Sequence, residues 1–148
     1  MSDERDKMIE TLKEYVVPVL RQRGFTGSFP HFRRPTERAI HLLTFQFDKW
    51  GGGFTVEIAT CSPDGFTTYF GKHIPPSKVR AWDITPPSRR PRLGPEKTDH
   101  WFRFDKRRLF STVDPYERAA LDLLPYLDQQ AESWWIQDTD KSKTMASP

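Results

Sequence analysis

Apolar residues recur at two different spacings along this chain, and the spacing divides it into elements. Over residues 3–23, Met8, Leu12, Tyr15, Val16, Val19 and Leu20 repeat at helical intervals, leaving Glu4, Lys7, Glu10, Glu14 and Arg21 mainly on the other side. That pattern predicts an amphipathic helix. Ser2 is placed to cap its start, and Asp3 and Glu4 suit the positive end of the helix dipole, as Arg21 and Arg23 suit the negative end. Gly24 stands where a left-handed residue ends a helix, with Phe25 positioned to fold back on the last turn. Pro18 lacks an N–H and its ring meets the carbonyl of Glu14, so a kink is expected over residues 15–18.

The period then changes to two. Ala39, His41, Leu43, Phe45 and Phe47 fall on one face of a strand over 39–48, with Leu42, Thr44, Gln46 and Asp48 on the other. Residues 54–62 alternate again, Phe54, Val56 and Ile58 against Thr55, Glu57 and Ala59. A four-residue loop, Lys49-Trp50-Gly51-Gly52, pairs Asp48 with Gly53. It sets Phe47 against Phe54, Phe45 against Val56 and Leu43 against Ile58 on one face, the arrangement that cross-strand packing favours. A slip of one residue would place Phe and Val against Glu and Thr, so the register is well specified. Pro63-Asp64-Gly65 reads as the next turn. A hairpin there brings a third strand, 66–70, beside the second, with Phe66 and Phe70 joining the apolar face. The opposite face is expected to be wet or half covered, a polar platform of Thr44, Gln46, Thr55 and Glu57, with Tyr69 beside Ala59.

Six prolines between residues 75 and 95 exclude a central strand. An irregular crossing segment is expected, with a short edge strand over 78–84. Residues 101–105 read as another short strand, with Phe102 and Phe104 on one side. Asp114-Pro115-Tyr116-Glu117 marks a helix start, with Asp as the cap, Pro at the first helical position and Glu three residues after the cap. Tyr116, Ala120, Leu123, Leu124, Leu127, Ala131, Trp134 and Trp135 continue as one stripe, which Pro125 should kink or split. A polar tail, expected to be disordered, follows from residue 139. The pattern thus predicts a single α+β domain over 1–138. A meander of three core strands, with short edge strands, packs its Phe/Val/Ile face against N- and C-terminal helices.

The order of these motifs resembles a known family. The opening helix closes on Gly24-Phe25. The strand Phe45-Gln46-Phe47-Asp48-Lys49-Trp50 leads through a glycine turn into Phe54-Thr55-Val56-Glu57-Ile58. Arg92-Leu93-Gly94, Trp101 and the late helix with Pro125 follow. Together they resemble, over roughly residues 5–136, the bacterial family described as domain of unknown function 4304. The chain carries a Pro/Arg-rich stretch where that pattern would have a His shortly before Arg92. The resemblance implies the α+β fold and carries no activity with it.

Composition narrows the chemistry. The chain has 148 residues and 14% aromatic residues, enough for a real core and unlike a disordered sequence. Its one Cys excludes an intramolecular disulfide framework and a Cys-based zinc site. The charged first ten residues and the absence of a long apolar run lead to the expectation of a soluble, cytoplasmic protein. The four histidines have no helical metal-site spacing, so no metal and no cofactor are expected. Among them, His41 reads as a hydrogen-bonded core residue and His100 as a loop or strand-edge residue. Cys61 has no Cys-His signature around it, and the nearby Glu57 would raise its pKa. The glycine run at 51–53 lacks the Lys-Ser/Thr ending of a phosphate loop, and a strand follows it. No catalytic residue is assigned.

Two surfaces stand out. Trp50 at a glycine turn, with Lys49, Gln46, Glu57 and Tyr69, is a candidate contact for a protein partner, since Trp is enriched at binding hot spots. Arg89, Arg90, Arg92, Arg103, Lys106, Arg107 and Arg108 form a candidate basic surface. The net charge of +3 conceals it, because an excess of acids after residue 114 offsets an excess of bases over 86–110 and 21–38. The leading expectation is a non-enzymatic protein-binding module of an accessory or immunity-like kind. The alternatives are a nucleic-acid-binding protein using residues 89–108, and a small-ligand protein or enzyme with a site under the proline-rich segment near Glu57, Tyr69 and His100.

Overall fold

A computed structural model describes residues 3–95, 100–105 and 112–146. The first helix breaks where Pro18 requires it. Helix α1 spans Asp3–Tyr15 and α2 spans Val17–Gln22, with Pro18 in the first turn of α2, where a missing N–H costs least. Gly24 takes φ +92° and the Phe25 N–H returns to the Leu20 carbonyl at 3.0 Å, closing the helix as expected. Ser2 lies outside the described residues.

Five antiparallel strands form the main sheet: β1 (Thr26–Ser28), β2 (His31–Pro35), β3 (Ile40–Phe47), β4 (Gly53–Cys61) and, at the far edge, Phe102–Arg103. The central register is the one the alternation demands: Phe47 opposes Phe54, Phe45 opposes Val56 and Leu43 opposes Ile58. The α+β class therefore stands. The third strand of the meander does not. Residues 66–70 leave β4 after a single bridge at Ser62–Gly65 and form a separate hairpin, β5 (Phe66–Thr67) with β6 (His73–Ile74). Phe70 is exposed at its tip, not in the core. The Phe102–Arg103 strand is β7. The place beside β4 that 66–70 was expected to take belongs to β7 and to residues 91–93, where the Leu93 N–H donates to the Val56 carbonyl and the Ile58 N–H to the Pro91 carbonyl.

The helices cover one face of the sheet. Asp114 caps α3 (Pro115–Tyr126), its carboxylate accepting the Tyr116 N–H at 2.9 Å. Past Pro125 the chain widens into a π-helical turn, Leu127–Ala131, before α4 (Glu132–Ala146). Helix α4 continues past residue 138, with Thr139 buried and donating to the Trp135 carbonyl at 2.7 Å. Met8, Leu12, Leu20, Phe25, Phe45, Phe54, Val56, Leu123 and Trp135 form this core.

The opposite face is not wet. The proline-rich segment crosses it, and Val79, Ala81 and Ile84 pack on Ile40, Leu42, Ala59 and Cys61 as a second core. The expected edge strand over 78–84 is a 3₁₀ turn, Ala81–Asp83, held by the Asp83 carboxylate on the Arg80 N–H. The polar platform is thereby buried: Thr44, Thr55 and Glu57 are closed off from solvent.

Candidate functional site

Short-range geometry fixes the β3–β4 hairpin tip. The Asp48 N–H donates to the Gly53 carbonyl at 3.0 Å, and the Gly51 N–H to the Asp48 carbonyl at 2.9 Å. The Asp48 carboxylate accepts the Trp50 N–H at 2.9 Å. Gly51 and Gly52 sit at φ +89° and +82°, conformations in which a side chain is strained. Arg103 on β7 reaches across with Nη2 on the Asp105 carboxylate at 2.7 Å and Nη1 3.9 Å from Asp48, and the Phe104 N–H donates to the Gly52 carbonyl. This bracing turns Trp50 outward, 85% exposed, with the Lys49 ammonium 5.2 Å from its ring centre.

Gly52 is the least replaceable residue of the tip. A Cβ there would overlap the Asp105 carboxylate and lie 2.9 Å from Arg103 Nη2. Gly52→Ala should therefore destabilise the fold by about 1–2 kcal/mol, read by urea unfolding, with altered amide shifts over 48–53. An unchanged midpoint would show that the bracing is dispensable.

The other candidate contact residues are dispersed. Gln46 is exposed on the same hairpin, where it lines a groove with Phe29, Pro30, Phe47 and Trp82. Glu57 is buried in the sheet under the proline-rich segment, 3.5 Å from Arg90 Nε and 3.9 Å from Arg92 Nε. Tyr69 is 91% exposed at the β5–β6 tip, edge-on to Phe70, and not beside Ala59. The fold thus keeps Trp50 and Lys49 together at the tip, places Gln46 further down the same hairpin on the Trp82 groove, and separates Glu57 and Tyr69 from them. Trp82 lies edge-on to His31 at 4.4 Å, in a segment whose sequence pattern predicts an edge strand and gives no signal for a ring contact at that position.

Much of the basic surface faces inward. Arg90 donates to the Ile84 carbonyl and pairs with Glu57, Arg92 lies by Glu57 and over the Trp101 ring, and Arg103 is held by Asp105. Arg89 is half-buried and has no carboxylate partner among the described residues. Lys106, Arg107 and Arg108 lie outside the described residues.

The histidines and the cysteine are held by their surroundings. His41 is buried, stacked 5.5 Å from the Trp135 ring, and its Nδ1 accepts from Arg34 Nε at 3.1 Å. Burial, and then the Arg34 charge, push its pKa down to about 4. His100 packs edge-on against Phe102, and burial lowers its pKa as well. Burial pushes the Cys61 thiol up to about 11, so it is a protonated, weakly nucleophilic group. Among the described residues no group of three or more His, Cys, Asp and Glu side chains could hold a metal ion. Nor is any described helix long and apolar enough to cross a membrane.

A family model described as "Domain of unknown function (DUF4304)" matches residues 16–147. No curated protein and no solved structure matches the chain.

Proposed function

The chain belongs to the family of domain of unknown function 4304, a description that assigns no activity, and from that premise we propose that it is a non-enzymatic binding module which meets a protein partner through the Trp50 hairpin. The observation that carries this reading is the indole of Trp50, 85% exposed on a tip that internal hydrogen bonds and Arg103 hold in one shape. An exposed indole adds almost nothing to folding. Buried in a partner's pocket, it would contribute as hot-spot residues do, about 2 kcal/mol or more. Rigidity reduces the ordering cost of association. Lys49 adds a charge at the rim, where it favours encounter more than affinity.

Affinity capture on the immobilised protein, from an extract of its source cells, tests the reading. A specific partner should be retained in near-stoichiometric amount and weakened tenfold or more by Trp50→Ala. That variant should melt within about 1 °C of the parent, because an exposed side chain away from the core has little effect on stability. Retention of nothing above background, or of a partner that binds Trp50→Ala equally well, would count against the module.

A further inference from the structure

At the end of β4 remote from Trp50, a cleft of about 720 Å³ opens between the Pro63–Gly65 turn, the β5–β6 hairpin, Arg89 and the buried Thr139 of α4. Its size is that of a small-molecule site. Ala39, Cys61 and Phe66 give it an apolar floor, since the Cys61 sulfur is protonated and nearly buried.

Most polar groups around this floor are already engaged within the protein. Arg38 is held by Asp140 at 2.7 Å, and the Thr60 hydroxyl donates to the Asp138 carboxylate. His73 has Nε2 on the Asp64 carbonyl at 2.9 Å and Nδ1 on the Thr67 hydroxyl at 3.0 Å. Arg89 differs: it is half-buried, lines the cleft and has no carboxylate partner among the described residues. After burial, the charges acting most on Cys61 are those of Arg89 and then Arg33, with Asp83 opposing, so the floor lies in a positive field.

We propose that this cleft binds a small amphipathic monocarboxylate, its apolar chain or ring on the Ala39–Cys61–Phe66 floor and its carboxylate on the Arg89 guanidinium. The planar fork of Arg matches a carboxylate in bidentate geometry. One guanidinium without a carboxylate partner among the described residues neutralises one charge, and Asp64 in the lining disfavours a dianion. The site is independent of the Trp50 reading, because the two lie at opposite ends of β4.

Octanoate, kept below its micellar concentration, is the probe, followed by amide shifts of the ¹⁵N-labelled full chain. Saturable shifts are expected at residues 60–62, 64–67, 73, 89 and 139. Octan-1-ol, which has the chain without the charge, should bind about tenfold more weakly, and Arg89→Ala should weaken octanoate about tenfold. Arg89→Lys should recover part of that loss, and Trp50→Ala should bind as the parent does. Equal affinity for octanol and octanoate, octanoate affinity unchanged in Arg89→Ala, or no saturable shift in the cleft would each overturn the proposal.

Discussion

Trp135→Ala is expected to destabilise the protein by about 3–5 kcal/mol, the range for removing a large aromatic side chain from a core. Trp135 is 1% exposed and sits where several elements meet. Its ring lies 5.1 Å from Phe25, which closes the first helical unit, and is stacked on His41 of β3. Its Nε1–H donates to the Leu42 carbonyl at 3.3 Å, tying α4 to the sheet. Alanine would leave a cavity, remove the indole hydrogen bond to the Leu42 carbonyl and leave the Arg34 guanidinium without the ring it covers at 5.2 Å. At about 2–4 °C per kcal/mol for a chain of this size, the melting temperature should fall on the order of 10 °C. Trp134→Ala, at a half-buried neighbour, should cost clearly less. Equal losses in the two variants would mean that α4 docks by general apolar burial and not through Trp135.

Acid should loosen the same junction, with His41 as the responsive group. Arg34 and Glu132 face it, and Arg23 and Asp128 complete the charge cluster: Glu132 bonds Arg34 at 2.6 Å and Arg23 at 3.2 Å, and Arg23 also binds Asp128. An unfolded imidazole titrates near 6.5, whereas burial and Arg34 hold the folded one at about 4. Above pH 6.5 both states are neutral and His41 gives no pH dependence. Between 6.5 and 4 the unfolded chain takes up a proton that the folded one refuses, so stability falls as the pH falls, by about 2–3 kcal/mol in all.

Glu132 acts in the same direction at lower pH. Burial opposes its ionisation, but the Arg34 and Arg23 partners outweigh burial and hold it below the ordinary carboxylate range. Its contribution is lost as the pH falls through that lowered value. His31 and His100, also lowered by burial, add to the slope. Chemical denaturation across pH 4–7 should show the decline in the parent and a flatter curve in His41→Gln. Parallel curves would contradict the assignment.

These two results depend on parts of the fold that the sequence shows unequally. The β3–β4 register was legible because its alternation is strict and one face is buried, so a slip is costly. The helix ends at Gly24-Phe25 and Asp114-Pro115 were legible because capping is local chemistry. The β1–β2 hairpin was not. Gly27, Pro30, Arg33 and Arg34 obscure any alternation, and of β2 only Phe32 is fully buried in the core. The hairpin gains its place by pairing with β3.

The strand read over 66–70 failed for the complementary reason. Its alternation is real, but which segment lies beside β4 is a competition settled over long range, and residues 91–93 and β7 hold that edge. The cover on the second face has no period at all, because prolines deny the segment a strand while Val79, Ala81 and Ile84 still find apolar partners. Of the candidate contact residues, Trp50 was legible from its glycine neighbours. Glu57 was misplaced with the face that the proline-rich segment buries, and Tyr69 with the strand that pairs elsewhere.

The central claim, that the Trp50 tip meets a protein, is tested most directly by a photo-crosslinking residue placed at Lys49, with a second placed at Tyr69 as a control on an equally exposed tip. On irradiation in source-cell extract, position 49 should yield one discrete protein adduct that Trp50→Ala abolishes and position 69 does not form. No adduct at position 49, or the same adducts from both positions, would contradict the account.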